Sequence, residues 1–384
     1  MDLPVPTDLQ GLFEARADSG DFLTAEKVED VLGLCLSGGG YRAMIYHVGC
    51  LVRLNELGLL SQIREIASVS GGSITAGKLA LAWPSLRFAN GRAINLIEEV
   101  ATPLVRFAAV GVDVKASLLG LLPGRTAADG VQEAYDRHLF HGASLQDIPD
   151  TPRFTFMTTN LQTGSGWRFS KAYAADFRVG RIDHPKLALS CVVAASSAFP
   201  PFLSPVRLRF EPDTVKPMAG VDLHRAPFTQ VAVLSDGGVY DNLGLERIWK
   251  RCRTILVSNA GKNTPDIGAP TGRWIGQIFR TLGLVQQQAE NSRKRILLGM
   301  HNLGQRKVAY WSIDTPIAAY GLADALPMTT DASTIAANMR TRLNPFSSAE
   351  VSLLLRTGYA GADACLRKRG LATNTPEANF DGLP

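Results

Sequence analysis

The sequence predicts an α/β fold, a single domain with a mostly parallel sheet sandwiched by helices. Three observations predict it. Two short apolar runs, 31–36 and 63–69, each end in a turn of small residues and run on into helically spaced apolar residues. Two further apolar runs, 231–234 and 254–258, are separated by a short helical stretch after Asn242. Strand, turn, helix, repeated in this order, is the pattern of a parallel sheet with crossover helices. A chain of 384 residues with 46% hydrophobic and 20% charged residues can bury such a core without disulfide staples.

Each element has a local reason. Residues 1–30 read as a polar lead-in with a short helix. Residues 31–36 form a buried strand that stops at Ser37-Gly38-Gly39-Gly40. A helix follows over 43–57, with Ile45, Val48, Leu51, Val52 and Leu54 on its apolar face and Gly58 as its stop. The second strand, 63–69, turns sharply at 70–72 into a helix over 73–83. Residues 84–150, rich in proline and glycine breaks, read as a helical excursion without strands. Within it, the apolar stretch 101–122 is broken by Arg106, Asp113 and Lys115, so it cannot span a membrane; core helices are a better reading of it than a lipid-facing lid. Residues 153–159 and 166–170 form a hairpin about Thr163-Gly164-Ser165. Residues 187–195 are an apolar helix or strand before a proline-rich corner. A helix is expected over 266–300. The domain plan is a catalytic core at 31–260, a helical extension at 261–370 packed on it, and a loose polar tail at 371–384.

The five cysteines are scattered, and neither they nor the six histidines show metal-ligand spacing. No metal or other cofactor is expected, and the cysteines read as small core residues of a reducing compartment. The N-terminus lacks the basic and apolar segments of a signal peptide. The expected location is cytoplasmic or peripheral to a membrane. A net charge of +5 suits transient contact with an anionic lipid surface, or a plain solvated surface. No nucleic-acid partner is expected, and the oligomeric state is not legible.

Three constellations carry chemistry. The first is Ser68-Val69-Ser70-Gly71-Gly72 at a strand-to-helix turn. It is close to the G-x-S-x-G elbow, in which small neighbours let a serine hydroxyl project from a sharp turn. Ser68 stands where the pattern has glycine. The second is Gly38-Gly39-Gly40-Tyr41-Arg42-Ala43, whose bare backbone N–H groups at a helix start can hold an anion. For acyl transfer that is an oxyanion hole, with the Gly71 N–H as an extra donor. The spacing Gly38-x-Gly40-x-x-Ala43 also fits a dinucleotide loop, the basis of an alternative oxidoreductase reading. That reading needs an acid at the end of the next strand, and the strand ends in Ser68-Val69-Ser70. The third is Asp236-Gly237-Gly238, directly after the 231–234 strand.

Together these pieces resemble the patatin-like phospholipase family, with similarity also to its cytosolic phospholipase A2 branch. The matching segments are GGGYRA at 38–43, SVSGGS at 68–73, TTNLQTGSGWRF at 158–169, AASSAFPPFLSP at 194–205 and DGGVYDNLG at 236–244. The resemblance covers about residues 30–260. It implies a fold related to the α/β hydrolases and a lipid or phospholipid substrate. It also implies a Ser70–Asp236 dyad, an oxyanion hole at Gly38, Gly39 and Gly40, and supporting roles for Arg42, Gly72, Gly237 and Gly238. Ser68 and Ala43 depart from the family's glycines, and neither substitution removes a reacting group. A Ser-Asp-His triad remains an alternative. In the order Ser, Asp, His it would require His301, the one histidine after Asp236. His47 reads as a satisfied core histidine. A non-catalytic lipid-binding protein on the same fold is the remaining alternative.

Overall fold

The structure is a computed structural model that describes residues 28–112, 126–261, 264–372, 376–380 and 382–384. Strand β1 (Glu29–Leu36) leads through the glycine loop into helix α1 (Gly40–Glu56). Strand β2 (Ile63–Val69) leads through Ser70 into α2 (Gly71–Ala82). A small ribbon of β3 (Phe88–Ala89) and β4 (Arg92–Ala93) precedes α3 (Thr102–Phe107) and α4 (Ala127–Tyr135). Then come β5 (Arg153–Asn160), β6 (Gly166–Phe169), β7 (Tyr173–Asp176) and β8 (Gly180–Asp183). Helix α5 (Leu189–Ser196), β9 (Val206–Arg209) and β10 (Val231–Asp236) follow. Two short helices, α6 (Gly238–Asp241) and α7 (Leu245–Ile248), lead to β11 (Cys252–Asn259). The chain ends with α8 (Trp274–Asn302), β12 (Lys307–Ser312), α9 (Ala332–Asn338) and α10 (Ser348–Lys368).

The expected mixed, mostly parallel sheet forms. Strands β12, β11, β1, β2 and β5 lie side by side and parallel. Beyond β5 the sheet continues antiparallel through β6, β7 and β8. The fifth strand is shared. Its first half pairs with β2, up to Val69 opposite Met157. Its second half pairs on the same side with β10, running antiparallel, from Asp236 opposite Thr158. So β2 and β10 approach each other end to end along one edge of β5. The sequence placed Asp236 at the tip of a strand in a parallel sheet; the tip is correct, but β10 enters from the opposite direction. Strands 7, 8, 9 and 12 were not expected. The first three are four residues long and carry charged or turn residues, which weakens any period-two signal.

The excursion is not strand-free, because β3 and β4 pair across Asn90-Gly91. Both turn residues have positive φ, the backbone that makes Asn-Gly a hairpin signal. Of the 101–122 stretch, Leu104 and Phe107 on α3 are buried in the core; residues 113–122 lie outside the described set, as does the 1–27 part of the lead-in.

Helix α1 is buried along almost its whole length. It has α2 on one side and α10 on the other. The α1–α10 crossing is so close that a Cβ on Gly358 would stand 2.0 Å from the Tyr46 carbonyl oxygen, and one on Gly49 would stand 2.0 Å from that of Leu355. Arg53 of α1 is buried at the same seam. It donates to Asp363 at 2.7 Å, to Glu56 at 2.8 Å and to the Tyr359 hydroxyl at 3.1 Å. A buried cation is tolerated only when paired in this way. The tail is tied here too, contrary to expectation: Pro376 accepts from Arg53, Asn379 donates to Tyr359, and Phe380 packs on the Tyr359 ring. Leu371, Ala378, Phe380 and Leu383 pack against the core and dock an otherwise polar segment.

Gly358→Ala is expected to lower stability by about 1–3 kcal/mol, because the added methyl has only helix backbone to displace. Gly268→Ala, where a Cβ would meet open space, is expected to leave stability unchanged. Urea unfolding midpoints at constant m value check both; equal midpoints for the two variants would contradict the close crossing.

Candidate functional site

Ser70 sits between β2 and α2 with φ 52° and ψ −122°. A non-glycine residue held there stores strain, which is tolerated only where surrounding contacts dictate it. Those contacts are visible. The Ser70 N–H donates to Ser196 Oγ at 3.0 Å, and Ser196 Oγ donates to the Met157 carbonyl at 2.7 Å. Ser73 Oγ bridges Ser196 and Ser68 at 2.9 and 3.0 Å. Ser68, where the elbow pattern has glycine, is therefore a member of a buried hydroxyl network beneath the turn. Gly72 is obligatory, since a Cβ there would lie 2.4 Å from the Leu36 carbonyl oxygen.

The glycine loop crosses over this elbow. A Cβ on Gly71 would stand 2.0 Å from the Gly40 carbonyl oxygen, and one on Gly40, at φ 55°, would collide with Thr341. The loop is held from behind. Ser37 Oγ accepts from the Ala260 N–H at 2.7 Å, and Arg42, buried, donates to the carbonyls of Ala260, Ala337 and Met339. Burial, only partly offset by the charge of Asp314, lowers the Arg42 pKa to about 10. One expectation is corrected. The Gly38 N–H is already spent on the Asn242 carbonyl at 3.1 Å, so Gly38 is a structural residue and not a free donor. Gly39 and Gly40 keep their place at the cavity wall.

Asp236 is fixed by its own backbone. Its N–H donates to the Ala198 carbonyl at 2.9 Å, and its carbonyl accepts from Thr159 Oγ1 at 2.8 Å. Its Oδ1 accepts the Gly238 N–H at 2.7 Å. Its Oδ2 is buried and holds no fixed hydrogen bond; the nearby Ser70 hydroxyl favours its charged form. Burial outweighs both groups and pushes the carboxyl up to about 6. Gly237 is needed for space, since a Cβ there would be 2.3 Å from the Met157 carbonyl oxygen.

Ser70 and Asp236 open together into one cavity of about 670 Å³. Its outer wall is apolar, with Phe199, Phe202, Leu203, Phe279 and Leu343. Its inner wall carries Asn242, Gln286 and Glu290. Asn242 lies within the Asp236–Gly244 motif, and nothing in the pattern sets it apart. It donates to Glu290 at 3.1 Å while its carbonyl holds the glycine loop. Glu290 lies far outside any motif and could not have been found from pattern.

His301 does not belong to this site. At the far end of α8 it bonds the Arg306 carbonyl and Arg369. The cavity wall contains no histidine among the described residues, so the triad alternative lacks its base. His47, as expected, is a core residue: it bonds Ser258 and the Ser37 carbonyl, and burial lowers its pKa to about 4. The acid that a dinucleotide loop would need is also missing from the tip of β2, because Glu65 near its start pairs with Arg153 and Arg251.

A family model described as patatin-like phospholipase matches residues 34–249. SPO1 of Saccharomyces cerevisiae, whose assignment as a meiotic phospholipase is provisional, is 37% identical over 65 residues, 17% of this chain and 10% of that protein. The structure of human GIVD cytosolic phospholipase A2 superposes with a TM-score of 0.54 at 13% identity, covering 97% of this chain and 65% of that one. VipD from Legionella pneumophila superposes less closely, with a TM-score of 0.37 at 14% identity, covering 89% and 67%. At these identities the two structures speak to fold alone, and only the human one is close enough to carry an argument. This chain thus spans about two thirds of the human chain and a tenth of the yeast protein. With more than half its length matched, across the glycine loop, the serine elbow and the Asp-Gly-Gly turn, the chain belongs to the patatin-like phospholipase family.

Proposed function

We propose that the chain is a lipid acyl hydrolase of phospholipase A or lysophospholipase type, a carboxylic ester hydrolase working through a Ser70–Asp236 dyad. Family membership supports lipid acyl hydrolysis. The observation that carries the finer reading is the meeting, in one apolar-walled cavity, of a serine with φ 52° and a buried aspartate whose Oδ2 has no fixed partner among the described residues.

The chemistry follows from the geometry. Ser70 Oγ attacks the ester carbonyl as its proton passes to Asp236. The carbonyl oxygen gains negative charge, which the Gly39 and Gly40 N–H groups and the N-terminal end of α2 stabilise. Asp236 returns the proton to the departing alcohol, leaving an acyl-serine. Water then attacks the acyl carbon, giving its proton to Asp236, and Ser70 leaves with that proton. A carboxylate is a weak base for an alcohol. Raising its pKa toward 6 narrows that gap, and burial is what raises it. Arg42 positions the glycine loop through three carbonyls. The phenylalanines and leucines of the outer wall suit an acyl chain.

Ser70→Ala and Asp236→Asn are each expected to reduce kcat on a soluble p-nitrophenyl ester by roughly a thousandfold or more. Full retention of turnover by Ser70→Ala would end the proposal, and vesicle binding without any hydrolysis by the wild type would favour the lipid-binding alternative.

Activity is expected to follow ionised Asp236. With its pKa raised to about 6, kcat/KM should rise about tenfold per pH unit below that value and level off above it. A profile already flat from pH 4 upward would contradict a buried aspartate base.

The same burial has a cost to folding. A carboxyl whose folded pKa lies above its unfolded value binds protons more tightly when folded. Its penalty is absent below about pH 4 and complete above about pH 6. Asp236→Asn is therefore expected to be the more stable protein at pH 7, by on the order of 1–3 kcal/mol. The difference should vanish as pH falls to 4, as read by urea titrations at both pH values.

A further inference from the structure

Helix α8 is 29 residues long, yet its fully buried residues are Leu297 and Met300, both near its C-terminal end. Its first three turns contain no buried residue. Trp274, Ile278 and Val285 are 71%, 56% and 61% exposed. At spacings of 4 and 11 residues they form one stripe along the helix. Ile275 and Phe279 beside them are exposed as well. Such a surface on a helix is not stabilised by water, and it calls for an apolar cover.

Two features say what the cover is. The first is charge. Between Asp266 and Glu290 the only ionisable side chains are both basic, Arg273 at the N-cap and Arg280, which also donates to the Pro265 carbonyl at 2.7 Å. The second is continuity with the cavity. Phe279 belongs both to this helix and to the cavity wall, where its ring stacks on that of Phe202 at 6.4 Å between centroids. Phe202 is itself exposed at the mouth. Phe279 and Phe202 therefore link the exposed apolar surface of the helix to the chamber that holds Ser70.

We infer that the N-terminal half of α8 is a docking element for an anionic phospholipid surface. Trp274, Ile278 and Val285 sink into the acyl boundary, Arg273 and Arg280 lie among phosphate headgroups, and the Phe202–Phe279 pair guides an acyl chain into the cavity. A helix with an apolar stripe, a tryptophan at its end and basic flanks is the composition that lies in a membrane interface. The inference rests on reading the cavity as a lipid site. It lies outside the segment matched by the family model, which ends at residue 249.

The test is cosedimentation with vesicles of phosphatidylcholine plus phosphatidylglycerol, and of phosphatidylcholine alone. Wild-type protein and Ser70→Ala are expected to bind the anionic vesicles alike and the neutral ones more weakly. The double variant Trp274→Ser, Ile278→Ser is expected to bind about tenfold more weakly or worse, with unchanged turnover of the soluble ester and unchanged melting. The double variant binding as wild type would overturn the docking role while leaving hydrolysis by Ser70 intact. A Ser70→Ala protein that still hydrolyses ester, with the double variant failing to bind, would overturn the dyad and leave docking intact. A wild-type dimer that the double variant dissociates, seen by analytical ultracentrifugation, would show a second copy as the cover and overturn the lipid assignment.

Discussion

The site depends on one feature of strand pairing. Strand β5 is longer than its parallel neighbour β2, and its surplus is taken by β10 coming the other way. The registers place Val69 opposite Met157 and Asp236 opposite Thr158, so the two strand tips meet over adjacent residues of a third strand. Ser70 follows the first tip and Asp236 is the second. Their separation is fixed by backbone ladders, and neither side chain relies on a loop for its place. A slip of one residue in the β10–β5 ladder would turn Asp236 to the opposite face of the sheet, and one in the β2–β5 ladder would displace Ser70. The Asp236 N–H to Ala198 bond and the Ser196 bonds to Ser70 and Met157 lock the same junction from a third direction.

Close backbone approach is the second constraint, and it explains the glycines better than flexibility does. Gly71, Gly72 and Gly237 each face a carbonyl oxygen at 2.0 to 2.4 Å from where a Cβ would be. The elbow, the glycine loop and the Asp-Gly-Gly turn are thus three strips of bare backbone laid against one another and against β5. This packing excludes side chains from the floor of the site. What remains there is Ser70, Asp236 and unshielded N–H groups, in surroundings dry enough to raise a carboxyl pKa.

Legibility in the sequence follows from the same facts. The glycine loop, the elbow and Asp236 were readable because bare backbone demands glycine, and glycine clusters stand out in a sequence. Strand β1, helix α1, strand β2 and helix α2 were readable because burial on every side leaves an unbroken apolar pattern. The antiparallel direction of β10 was not, since a six-residue strand carries no mark of its direction. Strands β7 and β8 carry Asp176, Arg181 and Asp183 and hide in a polar stretch. The use of the Gly38 N–H by Asn242 was also hidden, because it depends on a contact between residues 204 positions apart. Glu290 came to the cavity from α8, a helix whose amphipathic character says nothing of which wall it will form.

These constraints divide the molecule by function. The proposed reacting groups lie where backbone ladders and glycine contacts leave no freedom, within the segment shared with the family. The cavity's outer wall is built differently, from Phe199, Phe202 and Leu203 of the proline-rich corner and Phe279 of α8. These are side chains standing on surface segments, and their replacement would not disturb the strand junction. Chemistry and substrate access can therefore vary independently in such a fold: the first is set by strand register, the second by whatever apolar surface borders the mouth. In this chain that surface is a helix with exposed apolar residues, and the proposed docking role would tie the choice of substrate to the physics of an interface more than to contacts around the scissile bond.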